Sequence, residues 1–278
     1  MAKRKRTKHS KGNPFFKGFP WYIWTAGIAV SCLAFILIVI LNPFTPKSII
    51  QTDDLKCLIV DHLYNLWPNP EFIDHVTEEF EKIGFTVDVY QGDEITVDFY
   101  RQLPSHGYKL VLFRVHGGLL ENETGMRDKI WLFTNESYSR MRYYMMQLRD
   151  QVSGGAISLD SDPVFAISSK FITDIMRYNF DKTVIINMGC AAFYNEDLAE
   201  AFVERGASAY LGWDVSVGLS YVERATMTLV EKLCTEEMTI AQAVNATMDE
   251  RGPDPNNNAF LKYYPPENAD KTLRQIVK

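Results

Sequence analysis

The stretch VIINMGC at residues 184–190, together with VLFRVHGG at residues 111–118, decides the predicted fold. Each begins as a short apolar run rich in β-branched or aromatic residues, which is typical of a parallel strand buried on both faces. Each run stops at a residue that can take part in chemistry, Cys190 in the first and His116 in the second. Because the carboxyl ends of parallel strands meet at one edge of a sheet, we expect His116 and Cys190 to face one crevice.

A thiol beside an imidazole makes a nucleophile and its base. The imidazole can remove the thiol proton or hold the thiolate as an ion pair. The neighbouring glycines let the backbone turn sharply and leave amide N–H groups free near a substrate oxygen. The sequence therefore predicts His116 and Cys190 as catalytic residues, with amides near Gly117 and Cys190 binding the oxyanion. Taken singly, a Cys or a His in such a place is more often structural.

The two contexts, in this order along the chain, resemble the caspase-like cysteine peptidases of clan CD, which include caspases, gingipains, clostripain, separase and CHAT domains. Residues 206–213 also resemble the strand after the nucleophile helix of CHAT domains, and residues 240–244 resemble their closing helix. The prokaryotic CHAT, clostripain-like and gingipain-like members are the nearest in character. The resemblance implies an α/β fold, a three-layer αβα sandwich with a mostly parallel caspase-like sheet of about six strands.

Strand-like and helix-like segments alternate along most of the remaining chain, which also favours a parallel α/β sheet. The sequence predicts a first strand at 57–60 and a helix that begins at Pro70 after a capping Asn69. Between the two stretches quoted above lies a long excursion, in which we expect strands near 130–133 and 164–167 and a helix at 138–152.

In the caspase-like fold the main specificity pocket is formed by residues at the ends of the first strand, the cysteine strand and the strand after it. By this resemblance the substrate-binding residues are Asp61, Asn187, Trp213 and Asp214. An acidic residue in a partly desolvated pocket favours a cationic partner. We therefore expect cleavage after basic residues. For each aspartate alone, an ordinary polar role at a strand end is the alternative.

Residues 21–41 carry no charge and are long enough to span a bilayer as one helix. Seven basic residues precede this run and few follow it closely, so the positive-inside rule predicts a single-pass cell-membrane protein with a cytoplasmic N-terminus. The competing interpretation, a cleaved signal peptide, fits the length of the run less well. The predicted organisation is a basic tail at 1–20, the membrane helix, a linker at 42–56, an extracytoplasmic caspase-like domain at 57–252 and a surface-exposed C-terminal extension at 253–278.

The formal net charge of -6 includes the basic tail, so the domain that follows it is more acidic than this value indicates. Such a domain is a poor binder of nucleic acid, whose recognition depends on Lys and Arg. The expected partners are a peptide or protein substrate and, through residues 21–41, membrane lipid. The reaction requires no metal or other cofactor. Oligomeric state is not predicted.

These observations lead to one main hypothesis and two alternatives. The main hypothesis is a membrane-anchored cysteine endopeptidase with a Cys190–His116 dyad. The first alternative is a catalytically idle caspase-like or CHAT module that serves as a membrane-tethered interaction or signalling domain. The second is a tethered Rossmann-like sensor that binds a small ligand, but no glycine-rich phosphate-binding loop follows any predicted strand, which argues against nucleotide binding.

Overall fold

The computed structural model describes residues 49, 52–120, 129–158 and 160–278. The chain divides into two compact units, Met1–Pro46 and Lys47–Lys278, and all the described residues belong to the second. The predicted tail and transmembrane helix, residues 1–20 and 21–41, lie outside the described residues. Among the helices that are described, none has both the length and the apolar character of a membrane span.

Strands and helices are numbered here in chain order over the described residues. The strands are β1 (Lys56–Asp61), β2 (Thr86–Gln91), β3 (Leu110–Arg114), β4 (Gly117–Leu119), β5 (Ile130–Ser137), β6 (Val152–Gly155), β7 (Val164–Ile167), β8 (Thr183–Asn187), β9 (Ala207–Trp213) and β10 (Leu261–Tyr264). The α-helices are α1 (Pro70–Lys82), α2 (Val97–Gln102), α3 (Tyr144–Gln147), α4 (Ser169–Asp174), α5 (Asp197–Glu204), α6 (Leu219–Leu233), α7 (Ile240–Arg251) and α8 (Leu273–Val277).

The main sheet has six strands in the order β10-β9-β8-β3-β1-β2. All neighbouring pairs are parallel except β10 with β9. The predicted α/β class and the mostly parallel sheet of about six strands are therefore confirmed, in the form of a mixed six-stranded sheet. β3 lies directly beside β8, with Phe113 opposite Asn187 at their carboxyl ends. The segments that carry His116 and Cys190 therefore leave the sheet side by side.

Apolar side chains alternate between the two faces of the main sheet and form two cores. Ile59 and Leu112 pack on the face covered by α1, α6, α7 and α8. Leu58 and Phe113 pack on the opposite face, with residues of α2, α4 and α5. The helix α1 begins as predicted, because the Asn69 side chain accepts the Phe72 N–H at 3.1 Å. The sheet is thus enclosed on both sides and only its strand ends remain for a site.

The excursion between β3 and β8 forms a second, antiparallel sheet in the order β4-β5-β7-β6, which the sequence did not predict as a sheet. The predicted helix at 138–152 was wrong, since only Tyr144–Gln147 is α-helical there. Tyr143 has a left-handed φ of 56°, and the Gln147 side-chain amide donates to the carbonyls of Ser139 and Arg142 at 2.9 and 2.6 Å. In a longer helix these carbonyls would instead accept backbone N–H groups, so the Gln147 bonds compete with helix formation.

The C-terminal extension is also more ordered than predicted. Residues 261–264 add β10 to the edge of the main sheet, antiparallel to β9. Leu273 and Ile276 of α8 are buried in the core beneath that sheet. Asp254 is buried as well, and its carboxylate accepts the Gly218 N–H ahead of α6 at 2.7 Å. Residues 253–278 therefore form part of the folded domain.

Candidate active site

The turn after β8 presents Cys190. The Asn187 side chain holds this turn, since its Oδ1 accepts the Gly189 N–H at 2.8 Å and its Nδ2 donates to the Tyr210 hydroxyl at 2.8 Å. The next residue, Ala191, has a left-handed φ of 54°, a strained conformation for a side chain with a Cβ. Backbone strain of this kind is concentrated at functional sites. Asn187, predicted as a pocket residue, is buried and shapes the backbone that carries the thiol.

His116 follows β3, and neighbouring residues hold both its ring and its backbone. The ring packs edge-to-face on Phe133, with centroids 4.7 Å apart, and the His116 carbonyl accepts the Phe133 N–H at 3.1 Å. The backbone N–H of His116 donates to Nδ1 of His62 at 3.4 Å. Burial lowers the pKa of His62 to about 3, an effect that nearby His116 adds to. His62 is therefore neutral at ordinary pH and remains an acceptor for this bond.

The two turns touch each other through glycine backbones. A Cβ placed on Gly117 would lie 2.7 Å from the Cys190 carbonyl oxygen. A Cβ placed on Gly189 would lie 2.9 Å from the Val115 carbonyl oxygen. Atoms never approach a Cβ this closely without a shift, so any larger residue would push the turns apart. Glycine at 117 and 189 is what allows the imidazole and the thiol to share one site.

The resting thiol has a partner other than the imidazole. Sγ of Cys190 donates to the Val217 carbonyl at 3.5 Å, and no hydrogen bond joins it to His116 in the described part of the chain. Burial raises the pKa of the Cys190 thiol and lowers the pKa of the His116 imidazole. Both groups are therefore neutral at rest, and the thiolate–imidazolium pair that the sequence allowed is not the resting state.

The two backbone amides predicted for the oxyanion, those of Gly117 and Cys190, lack strand partners among the described strands. The Cys190 N–H makes no hydrogen bond to any described residue. The antiparallel ladder of β4 and β5 alternates, and His116 already accepts from Phe133, so the Gly117 N–H points away from β5. This geometry leaves the two amides predicted for the oxyanion without strand partners.

A cavity of about 360 Å³ opens beside the thiol. It lies at the carboxyl ends of β1, β3, β8 and β9, where a parallel sheet binds its ligands. Apart from Gly189, its wall consists of the two dyad side chains and seven apolar ones. The lining residues are Leu63, Trp67, Val115, His116, Met188, Gly189, Cys190, Val217, Leu219 and Val222.

None of the four predicted specificity residues lines this cavity. Trp213 is buried and packs edge-to-face on Tyr221, with centroids 5.5 Å apart. The Asp214 carboxylate accepts the Phe260 N–H at 2.7 Å and lies 3.9 Å from the Lys262 ammonium. The structure thus differs from the predicted pocket, because the Trp213 side chain packs against α6 and the Asp214 side chain holds the β10 segment.

Asp61 belongs to a buried charge network that the sequence analysis missed. Its Oδ1 accepts from Nη1 of Arg114 at 2.6 Å, and Oε1 of Glu223 accepts from Nη2 of the same guanidinium at 2.6 Å. Arg114 also donates to the Trp67 carbonyl at 2.5 Å. Burial raises the pKa of Asp61, and the Arg114 charge opposes that effect. The sequence did hold a signal, since Arg114 interrupts an apolar strand and a buried charge requires a partner.

The other two cysteines of the described chain, Cys57 and Cys234, do not line this cavity. Cys57, Cys190 and Cys234 are free thiols. In the described ranges no three His, Cys, Asp or Glu side chains are placed to hold a metal ion together.

No protein-family model matches the chain, and no curated protein matches its sequence. Among solved structures, the chain is similar to the Arg-specific cysteine proteinase gingipain R, with 12% identity, a TM-score of 0.48, and coverage of 83% of this chain and 51% of that one. The pro- and mature domains of RgpB from Porphyromonas gingivalis give 11% identity, a TM-score of 0.46, and coverage of 81% and 49%. The Saccharomyces cerevisiae separase–securin complex gives 15% identity, a TM-score of 0.38, and coverage of 84% of this chain and 13% of that one. The chain thus spans about half the length of the gingipain structures.

Proposed function

We propose that this chain is a caspase-like cysteine endopeptidase whose nucleophile is Cys190 and whose base is His116. One observation carries the proposal: the glycine contact between the turns after β3 and β8 brings an imidazole and a thiol to the wall of one cavity. The position of both residues at the carboxyl ends of adjacent parallel strands supports it further. A nearer placement among CHAT, clostripain-like or gingipain-like members stays a prediction.

The reaction uses the groups already described. The Cys190 thiol passes its proton to the His116 imidazole, and the sulfur attacks the carbonyl carbon of the peptide bond. The amides of Cys190 and Gly117 bind the oxyanion that forms. The imidazolium gives its proton to the leaving amine, which departs and leaves a thioester. His116 then takes a proton from a water molecule as the water oxygen attacks the thioester carbon. The imidazolium returns that proton to the departing sulfur, which restores the thiol and releases the acid product.

The idle-module alternative has an observation of its own. The thiol donates to the Val217 carbonyl, and burial raises its pKa, so nothing holds the sulfur as a thiolate at rest. A domain with such a site could bind a peptide segment without cutting it. Peptide cleavage distinguishes the two functions, because only the peptidase hypothesis requires the thiol to react.

The test is cleavage of a diverse peptide library by the purified full-length chain. We expect Cys190→Ala and His116→Ala to lose at least about 10³-fold in kcat/KM. Cys234→Ala is the matched control, because Cys234 is also a half-buried free thiol and lies away from the cavity. Cleavage that persists in Cys190→Ala protein would refute the assignment of the nucleophile. No cleavage by folded wild-type protein would favour the idle module.

We also propose that residues 21–41 anchor the chain in the cell membrane, with the catalytic domain extracytoplasmic. The support is the uncharged run itself and the basic residues ahead of it. The measurement is the distribution of the full chain between membrane and soluble fractions after an alkaline wash, and its digestion by protease added to intact cells. Recovery in the soluble fraction, or a mature N-terminus beyond residue 41, would contradict the anchor.

A further inference from the structure

The cavity beside Cys190 has no fixed charge on its wall. Its seven apolar side chains come from the segments after β1, β3, β8 and β9 and from the start of α6, and no carboxylate is among its lining residues. Both dyad groups that also line it are neutral at rest, since burial raises the pKa of the Cys190 thiol and lowers that of the His116 imidazole. A charged side chain that entered the cavity would find no partner there, which is costly in a desolvated site.

Two carboxylates do lie directly behind this wall. Asp61 accepts the N–H of Leu63, a wall residue, at 3.1 Å. Glu223 follows the wall residue Val222 in α6 and accepts from the Asn69 side chain at 3.0 Å. Because they adjoin wall residues, Asp61 and Glu223 are the carboxylates that could pair with a cationic side chain in the cavity.

The Arg114 guanidinium forms ion pairs with both carboxylates. It is fully buried, its Nη1 donates to Asp61 at 2.6 Å, and its Nε and Nη2 donate to Glu223 at 3.0 and 2.6 Å. Its remaining contact, the Trp67 carbonyl, belongs to another wall residue. The protein's own arginine therefore occupies the position in which the side chain of a basic substrate would form its ion pairs.

The side chain closest to the reacting sulfur is that of the residue whose carbonyl carbon is attacked, because its Cα is bonded to that carbon. The cavity wall includes the thiol itself. The residue that precedes the scissile bond is therefore the one whose side chain enters the cavity. Tyr64 and Leu66, which lie between the wall residues Leu63 and Trp67 along the chain, are also exposed apolar side chains.

We propose that this cavity selects a bulky apolar side chain before the scissile bond, and that Arg114 excludes Lys and Arg by satisfying Asp61 and Glu223 internally. This inference rests on the proposed function for the identity of the substrate as a peptide. It replaces the preference for basic residues that the sequence predicted.

The first experiment needs no turnover. Peptidyl acyloxymethyl ketones alkylate a reactive cysteine, forming a thioether and releasing a carboxylate. A series of such ketones, identical except for a terminal Leu, Phe, Arg, Lys or Asp, is reacted with the full-length chain, and the labelling of Cys190 is followed by mass spectrometry. We expect the Leu and Phe compounds to label at least about 100-fold faster than the charged ones. An Arg or Lys compound as fast as Leu overturns the inference.

A substitution in the wall tests the physical reason. Leu219 is the half-buried first residue of α6, where the helix dipole stabilises a negative charge. Leu219→Asp should increase labelling by the Arg compound at least about tenfold and reduce labelling by the Leu compound. Leu219→Asn is the matched neutral control and should not favour Arg. An unchanged order of rates in Leu219→Asp protein would show that the side chain binds elsewhere.

The two proposals fail in different ways. If the Leu and Phe ketones label Cys190 but no peptide is cleaved, the cavity preference holds and the peptidase function fails. If wild-type protein cleaves peptides after Arg and Cys190→Ala protein does not, the peptidase function holds and the cavity preference fails. If iodoacetamide labels Cys190 and no peptidyl ketone does, the site does not bind peptides and both fail.

Discussion

At the scale of single residues, the dyad is defined by what its members bind at rest. The Cys190 thiol donates to the Val217 carbonyl, and the His116 backbone is tied to His62 and Phe133. In the proposed reaction the S–H group must therefore turn from the Val217 carbonyl toward the imidazole before its proton is transferred. The resting site is uncharged, which sets its dependence on pH.

The rate at which iodoacetamide alkylates Cys190 should rise continuously from about pH 6 to about pH 9. Burial raises the thiol pKa, so the thiolate fraction grows with pH throughout this range. Burial also lowers the His116 pKa, so no imidazolium stabilises the thiolate at acidic pH. The readout is the mass of the peptide that contains Cys190, with Cys190→Ala protein to account for the other thiols. A plateau between about pH 6 and about pH 8 would indicate an ion pair and contradict this expectation.

The location of His116 and Cys190 at one sheet edge could be predicted because each ends an apolar run, a pattern visible within eight residues of sequence. The surroundings of Asp61 could not be predicted in the same way. Its partner Arg114 lies in another strand, and the second carboxylate, Glu223, lies in a helix far along the chain. Local pattern identified the acid at the strand end but not the arginine that neutralises it.

At the scale of elements, the site depends on two turns that meet backbone to backbone. The turn after β3 and the turn after β8 come together at Gly117 and Cys190. Catalysis is sensitive to such placement, since a displacement of about 1 Å can reduce a rate about 100-fold. Alanine substitutions at the glycines next to His116 can therefore test this contact, because the added methyl group would have different neighbours at each position.

Gly117→Ala should reduce kcat/KM by about 10- to 100-fold. Its Cβ would lie 2.7 Å from the Cys190 carbonyl oxygen, a backbone atom that can yield only if the turns separate. Gly118→Ala is the matched control, because its nearest neighbour would be the Phe133 ring at 3.4 Å, an ordinary contact. Peptide cleavage and the Cys190 alkylation rate are compared for both variants. Equal losses in the two would argue against the close contact as the cause.

The order of strands and helices was predictable at this scale where periodicity was strong, as in α1 with its Asn69 cap. The second sheet was not predictable. Its strands β4, β6 and β7 have three or four residues each, too few to show a period. In the same excursion, the apolar and aromatic run that favoured a long helix is broken because the Gln147 side chain binds the backbone carbonyls of Ser139 and Arg142.

At the scale of the whole domain, the last 27 residues, 252–278, close the main sheet. β10 covers the β9 edge, α8 adds Leu273 and Ile276 to the core, and Asp254 accepts the Gly218 N–H at the start of α6. The Pro- and Asn-rich composition of this segment indicated surface chain, because it carries few apolar residues between its turns. Most of them are nevertheless buried, although Phe260 is exposed.

Truncation after Arg251 should therefore destabilise the domain strongly. It exposes buried apolar side chains, each worth roughly 1.5–3 kcal/mol, and leaves the β9 edge unpaired and prone to aggregation. Soluble yield and the thermal unfolding midpoint are the measurements. A shorter deletion of residues 271–278 keeps β10 and Asp254 and should fall between wild type and the longer truncation. A longer truncation as stable as wild type would mean that the C-terminal segment is dispensable.

The hydrogen bond from the Cys190 thiol to the Val217 carbonyl also bears on oxidative damage. Peroxide reacts with thiolates rather than thiols, and burial keeps this sulfur protonated at neutral pH. The resting protein should therefore resist conversion of Cys190 to its sulfenic and sulfinic acids. In an oxidising compartment the sulfur would be vulnerable mainly during turnover, when its proton has passed to His116.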